Sequence, residues 1–123
     1  MPSGEPFTNE QYADIEHVLS VASAETGLRF SVYVGDVEGD MRDAAEAMHA
    51  KFGAAATDTV LVVTSPADRY LEIVTGEAAA RRLTDRACAL AALSMSAAFT
   101  GGDLAGGIVT GVRMLAEAAG KPV

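Results

Sequence analysis

Sulfur chemistry and basic surface are both nearly missing from this chain. Cys88 is the one cysteine among 123 residues, so an internal disulfide is excluded. It lies in the helical run RACALAAL, the setting of a small buried hydrophobe. A catalytic thiol would need a histidine that nothing in the sequence places beside it. Nine Lys and Arg face seventeen Asp and Glu, a net charge of −8. Such a surface repels phosphate backbones, which argues against nucleic-acid binding and favours cations or a basic protein partner. Long apolar runs are missing too. The longest uncharged stretch, Ala87 to Gly102, is rich in Ala and Ser and shorter than the roughly 20 residues of a membrane span. The N-terminus, MPSGEPFTNEQ, has no basic region leading into an apolar stretch and does not read as a signal peptide. The expectation is a soluble, cytoplasmic protein with no span of its own.

Catalytic signatures are equally sparse. Gly-x-Ser-x-Gly does not occur. The segment GGDLAGG from Gly101 to Gly107 follows a helical run and lacks the Lys-Ser/Thr pair of a phosphate-binding loop. His17 and His49 have charged or polar neighbours and no second ligand at helical spacing, so both read as surface histidines.

What is present is a globular composition. Half the residues are hydrophobic, and a chain of this length suits one domain that buries roughly 65–70% of its unfolded surface. Residues 1–7 form a Pro/Gly-containing tail expected to be flexible, residues 8–119 the domain, and residues 120–123 an exposed end. Thr8 and Gln11 make a capping box for a first helix over Asn9–Thr26, and Gly27 stands where a helix stops. LRFSVYV alternates strictly, with Leu28, Phe30, Val32 and Val34 on one face of a first strand. After the loop GDVEGD, Asp40 caps a second helix with the stripe Met41, Ala44, Met48 and Phe52.

The densest information lies in Asp58 to Gly76, DTVLVVTSPADRYLEIVTG. TVLVVT is a continuous apolar strand suited to cover on both faces. Strand, helix, strand at this spacing implies a parallel right-handed crossover. Ser65-Pro66-Ala67-Asp68 is a turn, so YLEIVT returns antiparallel. A short helix follows Gly76. Thr84 and Asp85 open a long helix that is apolar nearly all round and is expected to be well buried. Asp103 then caps a last helix with the stripe Leu104, Ile108, Val112 and Leu115. Gly106, Gly107 and Gly111 within it point to close approach by a neighbour. The fold class is α/β: a small mixed sheet, order α-β-α-β-β-α-α, with helices on both faces.

This topology sorts the acids. Asp36, Glu38, Asp40 and Asp68 share the edge at the C-terminal ends of the two parallel strands. DVEGD there resembles a calcium loop, but its glycine is at the fourth position rather than the sixth and Ala47 stands where the twelfth-position Glu is needed, and it reads as an acidic surface loop. Asp58 and Glu77 belong to the opposite edge, where Asp85 can join them. These three are the candidate ligands for Ca²⁺ or Mg²⁺, which take several oxygen donors. Arg81, Arg82 and Arg86 read as ion-pair partners for Glu77, Asp85 and other acids.

GLRFSVYVGD, the run from Asp58 to Gly76, RLTDRA and AFTGGDLAGGIVTGV together resemble a TPM domain, within it a short soluble actinobacterial branch of unknown function. The resemblance spans about Ile15 to Leu115. It implies that Asp58 is the acid before the second strand, Asp68-Arg69 the turn, Gly76 the strand-end glycine and Asp85 the acid of Leu-Thr-Asp. Thr59-Val60 stands where the family usually has Asn-Gly. The resemblance implies a non-enzymatic binding or accessory module with weak divalent-cation binding. Its alternatives are a metal-assisted weak acid phosphatase, with an Arg steadying phosphate, and a structural interaction domain.

Overall fold

The computed structural model describes residues 6–122; most of the expected N-terminal tail, residues 1–5, and Val123 lie outside them. Thr8 opens α1 (Asn9–Thr26) with the capping box written in its sequence: its hydroxyl accepts from the Gln11 N–H at 3.1 Å, and Gln11 Oε1 accepts from the Thr8 N–H at 2.8 Å. Gly27, at φ +77°, ends the helix in the left-handed conformation that costs glycine least. Strand β1 (Arg29–Val34), helix α2 (Met41–Ala50), strands β2 (Thr59–Ser65) and β3 (Tyr70–Thr75), and helices α3 (Glu77–Ala80), α4 (Asp85–Thr100) and α5 (Leu104–Ala119) follow. A 3-10 turn over Gly53–Asp58 is absent from the sequence-based expectation, and the turn at Pro66–Asp68 is itself a short 3-10 element.

The sheet has the order β1-β2-β3. β1 runs parallel to β2, with Phe30 opposite Val60 and Val32 opposite Val62, and β3 runs antiparallel, with Ile73 opposite Val62. Every residue of the central strand β2 is buried, as its unbroken apolar run predicts. The period of two divides the core between the faces. Phe30, Val60 and Val62 meet Ile15 and Val18 of α1, Met95 of α4, and Ile108 and Val112 of α5. Leu61, Val63 and Val74 face the other way, onto Ala45, Met48 and Phe52.

The glycines of α5 admit side chains of α4. A methyl group on Gly111 would lie 2.4 Å from Met95 Cγ, and Met95 is completely buried. Helix α4 is less covered than its composition predicts. It packs on α5 and β3, so its far side faces solvent, with Leu90 47% and Leu93 68% exposed. Three strands offer too narrow a floor to enclose a third helix on that face. No described helix is long and apolar enough to cross a membrane.

Candidate functional site

The edge carrying Asp58, Glu77 and Asp85 is built by packing of the 3-10 turn against α3. The Ala78 N–H donates to Thr57 Oγ1 at 3.1 Å, and the Gly76 N–H donates to the Thr59 carbonyl at 3.0 Å. These two bonds straddle Asp58 on one segment and Glu77 on the other, which brings that pair to one corner. Asp85 opens α4 beside its cap, Thr84. All three acids are exposed. Among the described residues, no three His, Cys, Asp or Glu side chains are grouped so as to hold a metal ion.

Two residues of this region behave differently from their sequence-based reading. His49 is buried rather than a surface residue, and its Nε2 lies 3.0 Å from the Thr59 carbonyl. A carbonyl only accepts, so that nitrogen carries a proton. Arg82 finds carbonyls rather than acids. Its guanidinium donates to Thr26 at 2.6 Å, Gly120 at 2.8 Å and Lys121 at 3.0 Å. It therefore ties together the C-terminal ends of α1 and α5, where a cation also meets the negative ends of the helix dipoles. Cys88, below Asp85 on α4, is half-buried. Burial pushes its thiol pKa up, and the Asp85 carboxylate adds to the shift.

The opposite edge holds a cleft of about 340 Å³ where β2 ends, β3 begins and α4 gives way to α5. Pro66, Leu71, Phe99 and Leu104 supply apolar walls, and Thr64, Ser96 and Thr100 supply hydroxyls. Among the described residues, Arg69 is its one charged lining residue. The guanidinium makes no hydrogen bond or ion pair with a described residue, and the backbone stands at φ +53°, the sole described non-glycine residue on that side. The two carboxylates nearest in sequence are engaged elsewhere. Asp68 accepts from Ser65 Oγ at 2.8 Å. Glu72 accepts from the Tyr70 hydroxyl and from Arg42 at 2.8 Å, while Arg42 also holds Glu46 at 2.9 Å. The hydrogen bond to Glu72, then desolvation and the carboxylate's charge, push Tyr70 up to about 12. A second cleft, of about 250 Å³ between α1 and α5, sets Arg113 beside Glu25 and Glu117 and so carries excess negative charge.

The comparisons with known proteins place the chain in a family. Residues 1–116 match the family described as Domain of unknown function (DUF5130). The chain belongs to that family. The chain is 29% identical over 112 residues to the uncharacterized proteins MT2543 and Rv2468c of two Mycobacterium tuberculosis strains. Those matches cover 89% of this chain and 65% of each relative, so the chain spans less than two thirds of the curated relatives' length. Solved structures of similar fold include the BA42 protein of Bizionia argentinensis, at TM-score 0.86 and 18% identity over 95% of this chain and 83% of that one. The N-terminal domain of a P. gingivalis protein gives 0.79 and 17%, covering 94% and 78%. The N-terminal domain of cg2496 from Corynebacterium glutamicum gives 0.77 and 14%, covering 95% and 80%. At these identities the likeness concerns the fold alone.

Proposed function

We propose that this DUF5130 chain is a non-enzymatic binding or accessory module of TPM-like organisation, and that it holds an anionic ligand in the cleft over Arg69. One observation carries the reading. On a protein of net charge −8, a cation is the only charge that the described residues bring to this cleft, and that cation sits at positive φ, where glycine would cost less. Backbone strain of this kind, of order 1–3 kcal/mol, concentrates at sites of function. The position supports it further, because ligands of open α/β sheets bind beyond the carboxyl ends of the strands.

Amide chemical shifts followed during titration with acetate and with inorganic phosphate test the reading. Saturable shifts confined to residues 64–71 and 96–104, and lost in Arg69→Gly, are expected. No saturable shift with either anion overturns it.

The alternative is weak Ca²⁺ or Mg²⁺ binding by Asp58, Glu77 and Asp85, supported by the two hydrogen bonds that bring the first two to one corner. A Ca²⁺ titration of wild type and Asp85→Asn reads it in the same spectra. A phosphomonoester assay on both proteins tests the metal-assisted phosphatase.

A further inference from the structure

We infer that the ligand of the Arg69 cleft is a monocarboxylate with an apolar body, an inference that rests on the anion-binding reading above. The charge count sets the head group. A single guanidinium lines the cleft, and its planar fork matches one carboxylate with two parallel hydrogen bonds. A phosphate dianion or a diphosphate gathers more donors than this. At the nearby start of α5, the Gly106 N–H is already taken by Asp103 Oδ1 at 3.0 Å.

The walls set the rest of the molecule. Thr64 and Thr100 spend their hydroxyl protons on the carbonyls of Tyr70 and Ser96, at 3.1 and 3.0 Å. Tyr70 spends its own on Glu72. The Ser96 hydroxyl makes no hydrogen bond to a described residue and is left as the one uncommitted side-chain donor among the lining hydroxyls. A sugar or another polyol would find acceptors in these hydroxyl oxygens but few free donors, a poorer match than an apolar body. Pro66, Leu71, Phe99 and Leu104 instead reward an alkyl or aryl group. The cleft volume, about 340 Å³, lies at the small end of ligand pockets, which run from roughly 300 to 1,000 Å³. The chemistry is that of a short fatty acid or an arylacetic acid.

The test is a titration series on the full chain with acetate, butyrate, hexanoate and phenylacetate, followed by amide shifts. Inorganic phosphate and hexanol serve as controls for charge without body and body without charge. Affinity is expected to rise about fourfold per added methylene that enters the cleft. Arg69→Gly should abolish binding of every member. Phe99→Ala should flatten the chain-length dependence; thermal melts confirm that each variant is folded. If phosphate binds as well as hexanoate, or affinity is flat with chain length, the monocarboxylate assignment falls and the anion site stands. If hexanol binds as well as hexanoate, the assignment and the need for Arg69 fall together. If no anion shifts the cleft resonances, both readings fail.

Discussion

A methyl group on Gly76 would lie 1.8 Å from the carbonyl oxygen of Ala56 and 2.6 Å from Thr57 Cα. The strand-end glycine is thus the point where the 3-10 turn rests on the end of β3. Backbone, not a flexible side chain, stands in the way, so the contact cannot yield without moving the turn.

Gly76→Ala should therefore destabilise the protein by about 3 kcal/mol or more, at or beyond the usual upper range for overpacking. Gly101→Ala, whose added methyl would make ordinary contacts at 3.5 and 3.7 Å, should stay within about 0.5 kcal/mol of wild type. Urea denaturation of the two variants checks the contrast.

Arg82 should matter for stability and not for charge pairing. Its bonds to the Thr26, Gly120 and Lys121 carbonyls are charge-assisted. Arg82→Ala should cost about 2 kcal/mol, the order of a hydrogen bond to a charged group. Arg82→Lys, a point charge without the fork, should recover only part of that. Hydrogen exchange should speed up at the C-terminal turns of α1 and α5 in both variants, which a purely surface arginine would not do.

Arg69 separates binding from stability. Arg69→Gly relieves the positive φ at a cost in unfolded-chain entropy, so its stability should remain within about 1 kcal/mol of wild type. Arg69→Val, β-branched at the same φ, should lose about 1–2 kcal/mol. Parallel melts of the two variants decide whether the strained backbone or the side chain is responsible.

Tyr70 predicts the behaviour in alkali. Its folded pKa of about 12 lies above the ordinary value of 10.0, so between those values the folded protein holds the phenolic proton more tightly than the unfolded chain. Stability from this hydrogen bond is fully present below pH 10 and is lost as pH rises through 12. Of the three tyrosines, one should ionise late by phenolate absorbance. Tyr70→Phe should remove that late phase, and Glu72→Gln should shift it to lower pH.

Cys88 should alkylate more slowly at neutral pH than a free thiol, because burial and then the Asp85 carboxylate raise its pKa. Asp85→Asn should speed the reaction by about twofold, the order of an exposed charge interaction. Iodoacetamide labelling followed by intact mass gives the rate.

Much of this architecture was legible in the linear chain. Thr8, Gln11 and Gly27 delimit α1, and Pro66 to Asp68 form the turn that folds β3 back on β2, because caps and turns are local chemistry. The strict alternation from Leu28 to Val34 assigns Phe30 to the larger core. The 3-10 turn Gly53–Asp58 was not legible, since GAAATD carries no hydrophobic period. His49 was misread because the carbonyl it meets, that of Thr59, begins the next strand and has no side-chain signature. Arg82 was misread for the same reason: acids are visible in a sequence, whereas every residue has a carbonyl. The candidate acids Asp58 and Glu77 could be brought to one edge from strand directions alone. The Arg69 cleft could not be foreseen, because its walls come from two segments about thirty residues apart.

The order and direction of the strands, the two-sided burial of β2 and the places where helices begin follow from the sequence by itself, because periodicity and capping act between residues a few positions apart. Tertiary structure alone decided that one face of α4 stays in water, that Arg82 binds helix ends, and that Arg69 stands over a cleft without an acid to pair with. Those outcomes depend on which distant groups arrive within about 3 Å of one another, and that is settled only when the helices pack on the sheet.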